Sequence, residues 1–343
     1  MRIGIIGAGA IGCVVGGLLT RAGHDVTLID QWPEHVETMK RAGLRLSGTC
    51  GEHRVPVTAL HLHEVQAIAE PFEALFIAVK GYDTEWATAL GRRVLREPDG
   101  YVAVFQNGVN DERVAAIAGR DRTLGCVITI GAGLYEPGHA MRTDTGAVGF
   151  TVGELDGRET PRARRLAEVL SAVAPARVTT NLLGERWSKL AVNCMANPLA
   201  GLSGYGSAEV RTEPVPRRIA IHIAAEVIRV GRALGHQVEP IYGIAPDRYL
   251  AAAEGRGLAE VEADMARSVR HLAGGRPSLL QDVLRGRRTE IEFLNGYVVE
   301  QGRRAGVPTP VNEAVVAIFR RYPPGTLKPD PAHLEPLARL VAG

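Results

Sequence analysis

The chain has 343 residues, 45% of them hydrophobic, and a formal net charge of +2. That length and apolar content suit about two domains with a core in each, and a near-neutral chain without a long basic run sets nucleic acid aside as its main partner. Cys13, Cys50, Cys126 and Cys194 lack metal-type spacing and read as reduced cytosolic thiols, so no metal is expected.

The first elements are carried by "RIGIIGAGAIGCVVGGLLTRAGHDVTLID", residues 2–30. Only Arg2 precedes its apolar core, and the patterned glycines have no use in a signal peptide, so it reads as structure. No other stretch approaches the roughly 20 apolar residues that cross a bilayer, and no membrane partner is expected. An apolar strand leads into Gly7-x-Gly9-x-x-Gly12, then a helix opened by Ala10 and Ile11, then Gly23 and a second strand ending at Asp30. Gly7 permits a tight turn, Gly9 lets backbone approach a pyrophosphate, and Gly12 allows close helix–sheet packing. With strand, helix, strand and terminal acid in order, the segment predicts a Rossmann-type dinucleotide site; the alternative is a glycine-rich packing turn. A carboxylate at Asp30 can accept from the adenosine ribose hydroxyls and would repel a 2'-phosphate, which favours NAD. NADP remains possible, with Arg41 and Arg45 not far along, and Asp30 could instead be a turn or cap acid.

Two further apolar runs, residues 73–79 and 101–105, are each followed by a polar turn and a helical stretch, as buried parallel strands would be. They deliver Lys80 and "QNGVND" with Asn107 to the carboxyl ends of the strands, where ligands of open parallel sheets collect. Lys80 could equally be a solvated strand-end charge, and Asn107 a turn former with Gly108. Residues 138–154 read as antiparallel strands closing the sheet, followed by a helix near 160–173 and a strand at 176–180. From Asn181 onward the pattern is helical. We expect a dinucleotide-binding domain over 1–180 and an all-α domain for substrate and dimerisation over 181–343, ending in an irregular proline-rich tail.

That second domain opens with "RWSKLAVNCMANPLAGL", where Lys189, Asn193 and Asn197 fall on one helical face and Pro198 marks its end or a kink. Lysine is scarce: of 40 basic residues only Lys40, Lys80, Lys189 and Lys328 are lysine. An ammonium can release a proton when desolvated, and a guanidinium does not. Lys189 is therefore either a proton donor or a buried stem with its head in water. Late in the chain, "PSLLQDVLRGRRTEIEFLNG" holds Ser278, a plausible helix start after Pro277, and Glu290, a first-turn acid if Thr289 and Glu292 form a capping box.

Taken together, "GAGAIG", "AVKGYDT", "QNGVN", "RWSKLAVNCMANPLAGL" and "PSLLQDVLRGRRTEIEFLNG" resemble the ketopantoate reductases (2-dehydropantoate 2-reductases) over nearly the whole chain. The resemblance implies a cytoplasmic, homodimeric enzyme of pantothenate biosynthesis that reduces a small 2-oxo acid with NADH or NADPH. It makes Lys189 the catalytic lysine and Glu290 its assisting acid. Ser278, Asn193 and Asn197 become substrate contacts, and Asn107 lies near the nicotinamide. Three departures leave the substrate open. Ser207 stands where the family has a pocket asparagine, residues 240–276 are longer than usual, and Asp30 departs from a common NADPH preference. A non-enzymatic NAD-binding regulator and a flavoprotein are the rival readings.

Overall fold

The computed structural model describes residues 1–144, 149–269 and 276–342. They divide into two compact units, Met1–Leu182 and Leu183–Gly343. In the first, β1 (Arg2–Ile6), α1 (Ala10–Arg21), β2 (Asp25–Asp30), α2 (Pro33–Ala42), β3 (Leu44–Gly48), β4 (His53–Val55) and β5 (Thr58–His61) are followed by β6 (Ala74–Ile77), α3 (Thr84–Arg92) and β7 (Tyr101–Val104). The unit continues with α4 (Asp111–Ala118), β8 (Thr123–Ile128), β9 (Ala132–Glu136), β10 (His139–Arg142), β11 (Phe150–Glu154), α5 (Pro161–Leu170) and β12 (Ala176–Val178).

Eight strands form one sheet in the order β12-β11-β8-β7-β6-β1-β2-β5. Every neighbouring pair is parallel except β8 with β11. Each residue of β6, β7 and β8 is buried, as strands covered on both faces require. This is the expected mixed α/β architecture.

Of the stretch read as closing this sheet, only β11 does so. Strand β10 pairs with β9 and β3 in a separate sheet of order β4-β3-β10-β9. That sheet packs on α1, where a Cβ on Gly17 would come within 2.9 Å of Leu44 and 3.0 Å of Leu46. Alternation along a strand says that one face is buried, not which sheet it joins. Residues 145–148 of the same stretch lie outside the described residues.

In the second unit the named elements are helices: α6 (Leu182–Ser203), α7 (Glu209–Thr212), α8 (Pro214–Ala233), α9 (Pro246–Ala253), α10 (Leu258–Arg267), α11 (Ser278–Leu284), α12 (Asn295–Ala305), α13 (Pro310–Arg320) and α14 (Glu335–Ala342). Helix α6 does not end at Pro198 but runs through it to Ser203. Proline has no N–H for the carbonyl four residues back. That carbonyl, on Cys194, instead accepts from Asn295 Nδ2 at 3.2 Å, and the same amide donates to Asn312 Oδ1 at 2.9 Å. Buried Glu226 on α8 accepts from the backbone N–H groups of Val311 (2.8 Å) and Asn312 (2.9 Å), which satisfies the first turn of α13.

Two local expectations are corrected. Thr289 and Glu292 form no capping box: Glu292 receives Arg320 at 2.8 and 2.7 Å, a 3-10 turn covers Ile291–Phe293, and the helix starts only at Asn295. The tail is not irregular throughout. Asp330 accepts from Ala332 N at 2.8 Å, a 3-10 turn and α14 follow, and Leu334 and Leu337 are buried.

Candidate active site

The glycines of the first unit do different work. Gly7 has φ +100°, and a Cβ there would sit 2.7 Å from the Ala78 and Val79 backbone, so the turn after β1 needs glycine twice over. A Cβ on Gly12 would be 2.0 Å from the Gly7 carbonyl oxygen, which is how tightly α1 begins against the turn. Gly9 has open space around it, with nothing within 4 Å of the added Cβ. Gly9, Ala10 and Ile11 are part-exposed, while the body of α1 is buried from Gly12 to Leu19. The first turn of α1 carries no acidic residue and no side-chain cap, so its N–H groups remain available to an anion. Open backbone at Gly9 beside a helix N-terminus fits a dinucleotide pyrophosphate.

Asp30 ends β2 and is part-buried. One oxygen takes the N–H of Trp32 at 2.9 Å, so the turn role is real, but the other stays available to a ribose hydroxyl. Arg45 points to Glu52 at 3.4 Å, and Arg41 is exposed in the last turn of α2. Lys80 and Asn107 follow β6 and β7, both part-buried. Their loops are tied together by Gln106, whose Nε2 donates to the Val79 carbonyl at 3.2 Å and to Thr84 Oγ1 at 2.8 Å. Arg113 adds a second tie, donating to the Gly81 carbonyl at 2.8 Å and Asn110 Oδ1 at 2.6 Å. Neither Gln106 nor Arg113 stood out in the sequence, because their partners are set by sheet order.

In the second unit, Lys189, Asn193 and Asn197 occupy successive turns of α6. Lys189 is part-buried, and the two asparagines are each only 5% exposed. One turn beyond them, Gly201 lacks a Cβ where one would meet Leu279 at 2.4 Å. This close approach of α11 to α6 brings the Ser278 hydroxyl onto Asn197 Oδ1 at 3.3 Å. Trp187, fully buried, fixes the other side of α6 by stacking with His236 at 5.9 Å between centroids.

Burial drives the Lys189 ammonium down to about 8, and the nearby Arg211 guanidinium pushes in the same direction. The charge acting on Lys189 is thus another cation, and no carboxylate offsets it. Glu290 is buried at 5% exposure just before the 3-10 turn. Ser207 lends its backbone carbonyl to Arg211 at 3.1 Å. Arg211 did not stand out in the sequence, where one arginine among 36 carries no contrast. Residues 270–275, within the long 240–276 stretch, lie outside the described residues; the described part of that stretch contains α9 and α10. Among the described residues there is no cluster of metal-ligating side chains and no helix long and apolar enough to cross a membrane.

Residues 3–157 match the family model described as ketopantoate reductase PanE/ApbA, and residues 181–322 match its C-terminal counterpart. The chain is 32% identical to a 2-dehydropantoate 2-reductase of Archaeoglobus fulgidus, over 93% of this chain and 97% of that one. Two solved structures share the fold. One is a 2-dehydropantoate 2-reductase of Geobacter metallireducens, with TM-score 0.79 and 24% identity over 94% of this chain and 99% of that one. The other is D-mandelate dehydrogenase with NADH and anilino(oxo)acetate, with TM-score 0.78 and 21% identity over the whole of both chains.

Proposed function

The chain belongs to the ketopantoate reductase family, and from that premise we propose that it reduces a 2-oxo acid to the 2-hydroxy acid with a nicotinamide dinucleotide, 2-dehydropantoate or a close analogue being the substrate. The observation that carries the reading is the part-buried Lys189, pushed down to about 8, on the same face of α6 as two buried asparagines, one of which accepts from Ser278 of α11.

Gly7, Gly9, Ala10, Ile11 and Gly12 would hold the pyrophosphate, Asp30 the adenosine ribose, and Lys80 and Asn107 the remainder of the nucleotide. The bound nicotinamide supplies the hydride. The chain's own residues supply the rest. Lys189 Nζ donates to the ketone oxygen, stabilises the alkoxide as charge develops, and passes its proton to it. The neutral amine then recovers a proton from water, easily near neutral pH because its pKa is near 8. Ser278 and Asn193 would hold the substrate carboxylate and Asn197 would line the same pocket; the Ser278 hydroxyl, whose one hydrogen goes to Asn197 Oδ1 at 3.3 Å, would turn it to the carboxylate when substrate binds. Glu290 would assist the lysine as a buried acid. Asp30, with one oxygen left for a ribose hydroxyl, supports NAD over NADP. By family kinship we place the enzyme in the cytoplasm, as a homodimer of pantothenate biosynthesis.

The test is initial-rate oxidation of NADH and NADPH with a panel of 2-oxo acids. Ketopantoate should be turned over, and 2-oxoisovalerate, which lacks the terminal hydroxyl, within about tenfold of it, because Ser207 offers less than an asparagine to read that hydroxyl. Failure of every 2-oxo acid in the panel would defeat the proposal.

A further inference from the structure

Arg211 lies on the short helix α7 and is only 5% exposed. Its Nε donates to the Ser207 carbonyl at 3.1 Å, its Nη1 to the Ser268 hydroxyl at 3.0 Å, and its guanidinium carbon lies 4.3 Å from the Tyr242 ring centroid. All three partners are neutral. By contrast, part-buried Arg142 meets Asp144 at 3.0 Å, and part-buried Arg162 meets Glu154 at 2.6 Å. Arg211 has no carboxylate partner among the described residues, and residues 270–275 contain no acid in sequence. Its Nη2 is likewise without a partner among them. Buried charges are normally paired, so this one is kept for something the chain does not supply.

A second observation lies beneath it. Tyr242 is the one non-glycine residue with positive φ among the described residues, at 53°. An aromatic residue adopts that conformation only when its surroundings hold it there, and strained positions of this kind gather at ligand sites. Here the strain carries the ring under the guanidinium. The same loop ties the arginine to the lysine: Pro240, two residues earlier, accepts from the Ser188 hydroxyl at 2.9 Å, and Ser188 adjoins Lys189.

We infer that Arg211 is a further substrate-binding residue, and that its unpaired Nη2, with the second hydrogen of Nη1, takes a carboxylate of the 2-oxo acid in the two-pronged geometry that guanidinium and carboxylate share. The identity of the ligand rests on the proposed function. The carboxylate is either the one beside the reacting ketone or a second one at the far end of a 2-oxo dicarboxylic acid.

Arg211→Met and Arg211→Lys are compared with the unaltered enzyme on 2-oxoisovalerate and 2-oxoglutarate. Kinetics are read together with the rise in melting temperature that each acid produces beside NAD+, which has no hydride to give. In Arg211→Met the KM should rise about 10- to 100-fold, the usual worth of a charged hydrogen bond, with a smaller change in kcat. A loss on both acids assigns the arginine to the common carboxylate; a loss confined to 2-oxoglutarate assigns it to the distal one. The kcat/KM inflection attributed to Lys189 should also move up in pH, a shift that a purely structural role would not produce. Should the Met variant fail to fold, Arg211→Lys must still raise KM about tenfold, since an ammonium lacks the fork. A folded variant with unchanged KM and unchanged acid-induced stabilisation would overturn the inference. If the unaltered enzyme is stabilised by these acids through Arg211 but turns none over, the reductase reading fails and the carboxylate site stands.

Discussion

Lys189 permits a prediction whose size can be worked from its surroundings. An ordinary lysine titrates near 10.5, and this one is pushed down to about 8 by burial and then by Arg211. That difference corresponds to about 3 kcal/mol of disfavour for the ammonium. At pH 7 the proton donor is still about nine-tenths charged, so kcat/KM for reduction should be level below pH 7, halved near 8, and tenfold lower per unit above that. The assay is loss of reduced-nicotinamide absorbance at subsaturating 2-oxo acid across pH 6 to 10. A profile level to pH 10 would refute either the desolvation or the role of Lys189 as donor.

The same shift has a stability counterpart. The folded pKa lies below the unfolded one, so between about 8 and 10.5 the unfolded chain binds the extra proton and stability rises with pH across that window. Below 8 the full penalty of the buried ammonium is present. Lys189→Met should therefore be more stable than the unaltered chain at pH 7, by up to about 3 kcal/mol, with the advantage fading above pH 10. A Met variant that melts lower at pH 7 would contradict the argument.

Three other outcomes are expected. Lys189→Ala should lower turnover about 100- to 10,000-fold and Lys189→Arg should not restore it, because the guanidinium keeps its proton; near-normal rates in the Arg variant would leave only an electrostatic role. NADH should be preferred to NADPH by its specificity constant, since Asp30 keeps an oxygen for the ribose and would repel a phosphate; a clear NADPH preference would remove that role from Asp30. Gly12→Ala should abolish tight NADH binding and cost about 1 to 3 kcal/mol, because its Cβ would meet the Gly7 carbonyl oxygen at 2.0 Å with only backbone to yield; unchanged binding by calorimetry would show that the turn is not the pyrophosphate site.

The first βαβ unit was legible in the sequence because its signals are local. Gly7 and Gly12 have meanings set by residues a few places away, and the structure shows them as a positive φ and a 2.0 Å approach, with Asp30 at the strand end where it was expected. What depends on long-range pairing was not legible. Nothing in "HAMR" tells β10 to join β3, some ninety residues earlier, rather than the large sheet. Pro198 read as a helix end or a kink because the remedy for its missing N–H, the amide of Asn295, lies about a hundred residues away. The capping box near Glu290 failed for the same reason: Arg320 draws Glu292 away from the backbone that it was expected to cap.

Composition explains why one half of the substrate chemistry was visible and the other was not. With only four lysines among 40 basic residues, Lys189 stands out against a background of arginine, and its environment fits the proposed role: a group that is to surrender a proton near pH 8 has to be an amine. Arg211 has the opposite requirement. A group that must stay charged while buried on an aromatic ring, and present two donors to a carboxylate, has to be a guanidinium, and in this chain that choice leaves no mark in the composition. The two cations also act on each other, since a permanent charge at Arg211 lowers the cost of deprotonating Lys189. A carboxylate arriving at Arg211 would cancel part of that repulsion and favour the ammonium form of Lys189, so that substrate binding would itself load the proton that the reduction consumes.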